Sequence, residues 1–149
     1  MIRVQESPFD VGAELATLSA GRTDIGAVAS FVGLVRDVAG DQAIGAITLE
    51  HYPGMTEKKL AEIEAEAATR WPLQASLIVH RYGRMLPGEP IVLVATASQH
   101  RSAALEACAF LIDWLKTQAP FWKLEESGAT SRWVEAREAD DRAAARWQR

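Results

Sequence analysis

Two lysines in the last third of the chain are placed where they could take part in acid-base or nucleophilic chemistry. Their segment is Leu115-Lys116-Thr117-Gln118-Ala119-Pro120-Phe121-Trp122-Lys123, which holds two of the four lysines of the chain. The sequence before it predicts a helix over 102–117, and helical periodicity places on one stripe Leu105, Ala109, Ile112 and Lys116. The spacing therefore predicts that Lys116 interrupts an apolar face.

A lysine in this position has two interpretations, and the spacing favours them equally. Its long stem can pack on apolar surface while the ammonium reaches water near the C-terminal end of the helix, where the helix dipole favours a cation. Alternatively, the ammonium is partly desolvated in a cleft, which disfavours its charged form and makes it a better acid, base or nucleophile.

A second candidate group lies where a predicted strand passes into the same helix, at Ser98-Gln99-His100-Arg101. With Ser98 as a candidate N-cap, free backbone N–H groups and the guanidinium of Arg101 would form an anion site. His100 would add a hydrogen bond or a proton, or is an exposed loop histidine without a role. Arg36, at the end of the first long strand, is a candidate for a phosphate or carboxylate, or an ordinary surface arginine.

The length of the helix limits how these groups combine. Arg101 and Lys116 are separated by fifteen residues, or roughly 22 Å at the rise of an α-helix. Arg101 and Lys116 of the same chain therefore cannot both touch one small substrate. If they belong to one active site, we expect that site to be shared across a homodimer interface.

The rest of the sequence predicts an α+β protein in which residues 1–149 form one unit. Asp10 is predicted to cap a short helix, Thr56 to cap a second helix that ends at Pro72, and residues 38–43 to form a loop. Extended segments are predicted at 2–5, 25–35, 44–51, 75–82, 91–98, 121–125 and 132–135. The tail at 140–147 has helical propensity and either forms a helix or frays in solution.

Composition argues against several classes of function. The formal net charge is −4, so there is no basic field for a nucleic acid. The lone cysteine, Cys108, falls beside the predicted apolar stripe and is expected to be a core residue, and neither metal-binding nor nucleotide-binding motifs are present. Without a signal sequence or a membrane-length apolar run, a soluble cytoplasmic protein is predicted, with no metal or cofactor and no membrane or nucleic-acid partner.

Several separated blocks together resemble the large, catalytic subunit family of molybdopterin synthase. The first four are Phe31-Val32-Gly33-Leu34-Val35-Arg36, Leu49-Glu50-His51-Tyr52-Pro53-Gly54-Met55-Thr56, Ser98-Gln99-His100-Arg101-Ser102 and residues 116–123. A fifth is Arg132-Trp133-Val134-Glu135-Ala136-Arg137. The resemblance spans essentially the whole chain.

This resemblance implies an α/β-hammerhead fold with an additional α+β subdomain. It also implies a homodimer with a small ubiquitin-like sulfur-carrier subunit at each end, a heterotetramer overall. The implied reaction moves sulfur twice from the C-terminal thiocarboxylate of the carrier to cyclic pyranopterin monophosphate, which produces the dithiolene of molybdopterin.

The resemblance also implies roles for individual residues. Lys116 and Lys123 would be the catalytic pair, and the substrate-binding residues would be Arg36, Arg137, Phe31, Ile112 and, from the neighbouring subunit, His100 and Arg101. The competing class is a non-enzymatic module that docks the anionic tail of a partner in the same cationic cleft. Turnover distinguishes the two classes, because a docking module would bind the tail without consuming sulfur.

Overall fold

The computed structural model describes residues 1–134 and 138–148, and the main sheet is built from strands that the apolar runs predict. This sheet has the order β1-β6-β8-β2. Its strands are β1 (Ile2–Gln5), β6 (Leu73–Arg81), β8 (Pro90–Ser98) and β2 (Ala27–Leu34). β1 runs parallel to β6, and the other neighbours are antiparallel.

Helices cover both faces of the main sheet, because the residues of β8 alternate between two cores. Val92 and Val94 pack toward α2 (Met55–Arg70) and α3 (Arg101–Gln118). Leu93 and Ala95 share a second core with the apolar residues of α1 (Val11–Ser19). The antiparallel β8 is therefore buried on both sides, as expected for a strand between two helical layers.

The second sheet has the order β10-β9-β5-β7 and is antiparallel throughout. Its strands are β5 (Ala46–His51), β7 (Gly83–Met85), β9 (Phe121–Ser127) and β10 (Thr130–Val134). The separate small core beneath it consists of Val35, Ile44, Ile47, Leu49 and Met85. The turn from β9 to β10 uses Gly128 at φ +62°, a conformation that favours glycine.

The fourth helix, α4 (Glu138–Ala145), follows the second sheet and is attached to α3. One carboxylate holds the end of this segment: Asp113 Oδ2 accepts hydrogen bonds of 2.7 Å from both Trp147 Nε1 and Arg146 Nη2. Of the two alternatives for the tail, the structure has the helix, at Glu138–Ala145 instead of 140–147, and this helix packs against the one that carries Lys116.

The α+β class and most predicted elements are confirmed, but the predicted stripe on α3 is wrong. The buried side chains of α3 are Ala104, Ala107, Cys108, Phe110, Leu111 and Leu115. Leu105 is 60% exposed, and Lys116 is exposed as well. The stripe that ends at Lys116 thus borders the buried face, and the lysine does not interrupt the core.

Two predicted N-caps are also wrong. The helix α2 begins at Met55 with Gly54 as its N-cap, and Thr56 is a buried residue of the first turn. His100 is the N-cap residue of α3, and no side-chain hydrogen bond caps that helix. Ser98 instead ends β8, where its hydroxyl donates to the carbonyl of Pro72 at 2.8 Å.

The predicted loop at 38–43 contains a small hairpin, formed by β3 (Val38–Ala39) and β4 (Gln42–Ala43). Gly40 lies at its tip with φ +62°. Among the described residues, no helix has both the length and the apolar character needed to cross a membrane.

Gly26 allows a close crossing between the start of β2 and the entry to α3, and replacing it tests that packing. Its N–H donates to the carbonyl of Ser98 at 3.0 Å, and a Cβ at this position would overlap the carbonyl oxygen of Gln99. We expect Gly26→Ala to lower the free energy of unfolding by about 1–3 kcal/mol in urea titrations.

Gly12→Ala is the matched control, because the nearest atom to its new Cβ would be Asp10 Oδ1 at 3.5 Å. Gly12 lies in α1, so alanine there should be neutral or stabilising by up to about 1 kcal/mol. Equal stability of the Gly26 variant and the native chain would contradict the close crossing.

Candidate active site

A cavity of about 330 Å³ opens where the C-terminal end of α3 meets the second sheet. Its floor comes from the inner face of that sheet, which carries Ile47, Leu49, Phe121, Lys123 and Glu125. Further lining comes from the ends of β2 and β8, from α3 and from Asp140 of α4. The volume lies within the range of small-molecule sites in proteins.

Four of the residues predicted for the site line this one cavity: Arg36, Ile112, Lys116 and Lys123. The two lysines meet because α3 ends at Gln118, Ala119 and Pro120 turn the chain, and β9 begins at Phe121. Alternation along β9 then points Phe121, Lys123 and Glu125 to the cavity side.

Three other predicted residues lie elsewhere in the single chain. His100 and Arg101 are exposed at the N-terminal end of α3, at the opposite end of the helix from Lys116. Phe31 pairs with Val94 in the main sheet and packs against the core beneath α3. Arg137 lies outside the described residues.

Lys123 has an acidic neighbour on its own strand. Its Nζ lies 3.5 Å from Oε2 of Glu125, a residue that is only 5% exposed. Arg132, opposite Glu125 in the sheet, places Nη2 at 3.6 Å from Oε1. Buried carboxylates need such partners, so Glu125 is compensated by one cation on the cavity side and another on β10.

Lys116 lies in a different environment from Lys123. It is exposed, which in the isolated chain favours the interpretation that its stem packs and its ammonium reaches water. Among the described residues that line the cavity, the three cations Arg36, Lys116 and Lys123 outnumber the two carboxylates of Glu125 and Asp140. This excess of positive charge suits an anionic ligand.

His80 lines the cavity near Lys116 and is buried in an aromatic stack. Its ring lies parallel to that of Phe121, with 3.8 Å between centroids and 17° between planes. On β5, the ring of His51 contacts the rings of Phe121 and Tyr82, with centroid distances of 5.9 Å and 4.7 Å respectively. The stack joins β6 of the main sheet to β9 and β5 of the second sheet.

Burial lowers the pKa of His80 to about 4, with a smaller contribution from the charge of Lys116. A hydrogen bond between Nδ1 and the carbonyl of Arg81, 2.8 Å long, opposes this shift but does not cancel it. His80 is therefore an uncharged imidazole at neutral pH.

Comparison with known proteins connects this geometry to a family. The model of the family described as MoaE protein matches residues 4–118. A molybdopterin synthase catalytic subunit from Pseudomonas aeruginosa is 56% identical over 147 residues, which cover 99% of this chain and 98% of the relative. The chain belongs to the MoaE family.

Solved structures agree with this assignment. The molybdopterin biosynthesis MoaE protein of Burkholderia ambifaria has a TM-score of 0.84 and 53% identity, covering 99% of this chain and 97% of that one. Molybdopterin synthase from Staphylococcus aureus has a TM-score of 0.83 and 31% identity, and the match covers 89% of this chain and 96% of that one. The resemblance to the large subunit of molybdopterin synthase, and with it the prediction of an enzyme, is confirmed.

Three polar residues of this MoaE-family cavity, His80, Glu125 and Asp140, did not emerge from sequence reasoning. Glu125 follows Lys123 by two positions, so strand periodicity could have placed both on one face. His80 ends an otherwise apolar run, and a polar residue there is a recognisable signal. Asp140 carries no signal, because its place depends on how α4 docks.

Cys108, the only cysteine of this MoaE-family chain, is a core residue as predicted. Burial raises the pKa of its thiol to about 11, so it is protonated and unreactive at neutral pH. Over the described ranges, 1–134 and 138–148, no group of three His, Cys, Asp or Glu side chains could hold a metal ion.

The neutral state of His80 should make stability depend on pH. The unfolded chain takes up this proton near pH 6.5, whereas the native ring does so only near pH 4. The contribution of neutral His80 to the free energy of unfolding is therefore complete above about pH 6.5 and decreases as the pH falls toward 4. Between pH 7 and pH 5 we expect a loss of roughly 2 kcal/mol in the free energy of unfolding.

Urea titrations at both pH values test this expectation, with His80→Phe as the comparison. Phenylalanine keeps a ring against Phe121 but cannot take up a proton. The difference in pH dependence between native chain and variant isolates His80 from the carboxylates. Parallel pH profiles for the two proteins would show that His80 is not held neutral by the fold.

Proposed function

We propose that this chain transfers sulfur from the C-terminal thiocarboxylate of a small ubiquitin-like carrier to cyclic pyranopterin monophosphate, forming the dithiolene of molybdopterin. The convergence of Lys116, Lys123 and Arg36 on one cavity carries the proposal. Membership of the MoaE family supports it. The buried thiol of Cys108 is consistent with it, because a buried, protonated thiol is unsuited to carry the transferred sulfur, which in this proposal arrives on the carrier.

The charges of the cavity suit each proposed ligand. A thiocarboxylate tail is anionic and flexible, and the ammonium groups of Lys116 and Lys123 would hold it and stabilise negative charge that develops at its acyl carbon. Arg36 would bind the cyclic phosphate of the pterin, because a guanidinium matches phosphate oxygens in a bidentate manner. Ile112 would contribute apolar wall, and Arg137 remains a proposed member of the same pocket.

The two lysines would share the chemistry. We assign to Lys116 the neutralisation of the thiocarboxylate or intermediate and the transfer of protons, and to Lys123 the orientation of the pterin. A transient amide between Lys116 Nζ and the terminal carbonyl of the carrier is compatible with these roles. The amine would lose a proton to solvent and form the C–N bond as the C–S bond breaks and sulfur leaves for the pterin, and water would then hydrolyse the amide to return the carrier carboxylate and the free Lys116 amine.

The proposed assembly is a homodimer with one carrier at each end. Within it, His100 and Arg101 of one subunit would complete the anion site of the other, and Phe31 would contribute apolar wall. The length of α3 supports this arrangement, since it separates Arg101 from Lys116 within one chain. We further propose that residues 1–149 form one domain of α/β-hammerhead type with an added α+β portion. The cytoplasmic location stays a prediction.

The decisive experiment is turnover with thiocarboxylated carrier and the pterin precursor. The purified chain should yield dithiolene product and leave the carrier with an ordinary carboxylate. Binding of the carrier without loss of its sulfur would instead identify a docking module.

In the same assay, Lys116→Ala should lower the rate at least about 100-fold, the size expected when a proton-transfer group is lost. Lys116→Arg keeps the positive charge but removes both the nucleophile and the readily lost proton, so its turnover should be nearly as slow as that of Lys116→Ala. Lys58→Ala, on the exposed side of α2, is the control and should retain full activity. Near-normal turnover of Lys116→Arg would reduce the role of Lys116 to charge alone.

Mixing inactive subunits tests the shared site. Arg101→Ala and Lys116→Ala homodimers should each be slow. After subunit exchange at equal amounts, half of the dimers are mixed and each has one intact site, so about a quarter of native activity should return. Activity that stays at the level of the separate variants would place Arg101 outside the site of Lys116.

A further inference from the structure

His80 is a buried residue of the cavity for which the proposed sulfur transfer has no role yet. It is 5% exposed, lines the same cavity as Lys116, and stacks on Phe121. A histidine at the wall of a cationic cavity requires an explanation, because protonation would add one more positive charge next to Lys116 and Lys123.

The hydrogen bond of His80 fixes its tautomer. Nδ1 lies 2.8 Å from the carbonyl oxygen of Arg81, and a carbonyl oxygen can only accept, so Nδ1 carries the proton. Nε2 is then an unprotonated acceptor. Phe121 covers one face of the ring, and the residue lines the cavity.

The surroundings of His80 favour an uncharged ring. Burial lowers its pKa to about 4, and the positive charge of Lys116 acts in the same direction. The other titratable groups around the cavity come from every element packed there: Arg36 after β2, His51 of β5, Lys123 and Glu125 of β9, and Asp140 of α4. His80 is therefore a neutral hydrogen-bond acceptor surrounded by charged side chains.

We propose that His80 is a positioning residue for Lys116, whose amine donates a hydrogen bond to Nε2 of His80 when the carrier tail occupies the cavity. This inference rests on the proposed sulfur transfer. The side chain of Lys116 loses its reactive proton to solvent. One of the remaining N–H groups donates the hydrogen bond to His80, and no covalent bond to His80 forms or breaks. The nitrogen lone pair of Lys116 is thereby directed at the acyl carbon.

The same contact distinguishes the two lysines. Lys123 is paired with the carboxylate of Glu125 at 3.5 Å, so its side chain already has an anionic partner in the cavity. Lys116 has the neutral ring of His80 as its neighbour, and Nε2 of that ring can accept a hydrogen bond from an amine. In this proposal Lys116 is therefore the nucleophile, and Lys123 contributes charge.

Two variants of His80 test the role in the turnover assay. His80→Phe keeps the ring stack but removes the acceptor, and we expect kcat to fall about tenfold while KM for the carrier changes less than about threefold. His80→Gln restores an acceptor near the position of Nε2 and should recover at least about a third of native kcat. Equal losses in both variants would overturn the role of the acceptor.

The matched control is His51→Phe, because His51 contacts the same Phe121 from β5 and bonds to Thr56 at 2.9 Å. This variant disturbs the stack without touching the acceptor next to Lys116, so kcat should stay within about twofold of native. A loss as large as that of His80→Phe would show that packing alone explains the effect.

A spectroscopic measurement keeps the proposal testable even where His80→Phe does not fold. The ¹⁵N resonance of His80 Nε2 is recorded in the complex with carrier that ends in an ordinary carboxylate. Lys116→Ala should shift this resonance toward that of a nitrogen without a hydrogen bond, and should leave His51 unchanged. An unchanged His80 resonance would overturn the contact.

This measurement requires no turnover, so it separates the two proposals. Absence of sulfur transfer by the native chain would contradict the proposed function, whereas the ¹⁵N shift alone decides whether Lys116 and His80 are in contact.

Discussion

The short connection between α3 and β9 is the constraint on which the site depends. The helix packs on the main sheet, the strand pairs with β5 in the second sheet, and only Ala119 and Pro120 separate them. Because so few residues join the two elements, the last turn of α3 must lie against the inner face of the second sheet. The cavity forms at this junction, and the connection brings Lys116 and Lys123 together without any long-range contact between them.

The electrostatics of the cavity follow from which element supplies each group. The strand that carries Lys123 also carries its counter-charge, Glu125, two positions later and on the same side. The helix that carries Lys116 supplies no such carboxylate to the cavity, and the neighbouring strand β6 supplies a neutral imidazole instead. Two residues of the same type thus have different electrostatic surroundings, with an ion pair at Lys123 and a neutral imidazole near Lys116.

Sequence patterns anticipated the elements better than their boundaries and faces. Extended segments were predicted at every strand of the two sheets except β7 (Gly83–Met85), because burial leaves a clear signal in the longer strands and three residues are too few to show it. The caps at Ser98 and Thr56 were wrong because both hydroxyls have other partners: Ser98 donates to the carbonyl of Pro72, and Thr56, already inside the first turn of α2, donates to the carbonyl of Tyr52 before the helix. The predicted buried stripe through Leu105 was wrong, because helical spacing shows only which residues share one side of α3. The position of the neighbouring sheet determines which side is buried.

The candidate site was predicted where its residues are close in sequence and incompletely where tertiary structure brings them together. Lys116 and Lys123 belong to one continuous segment, in which periodicity singled out Lys116 and the family resemblance added Lys123 as its partner. His80 and Asp140 reach the cavity from a strand of the main sheet and from α4, and their proximity depends on sheet packing and helix docking. Nothing local in the sequence encodes that proximity.

The aromatic stack has a mechanical consequence. His80 belongs to the main sheet, while Phe121 and His51 belong to the second sheet, so the three rings bridge the two sheets beneath the cavity. Moving the sheets apart would expose all three rings to water, which costs free energy in proportion to the apolar area uncovered. The stack therefore resists separation of the two sheets, whereas Arg36 and Lys116, which line the cavity, are exposed at its rim and outside this stack.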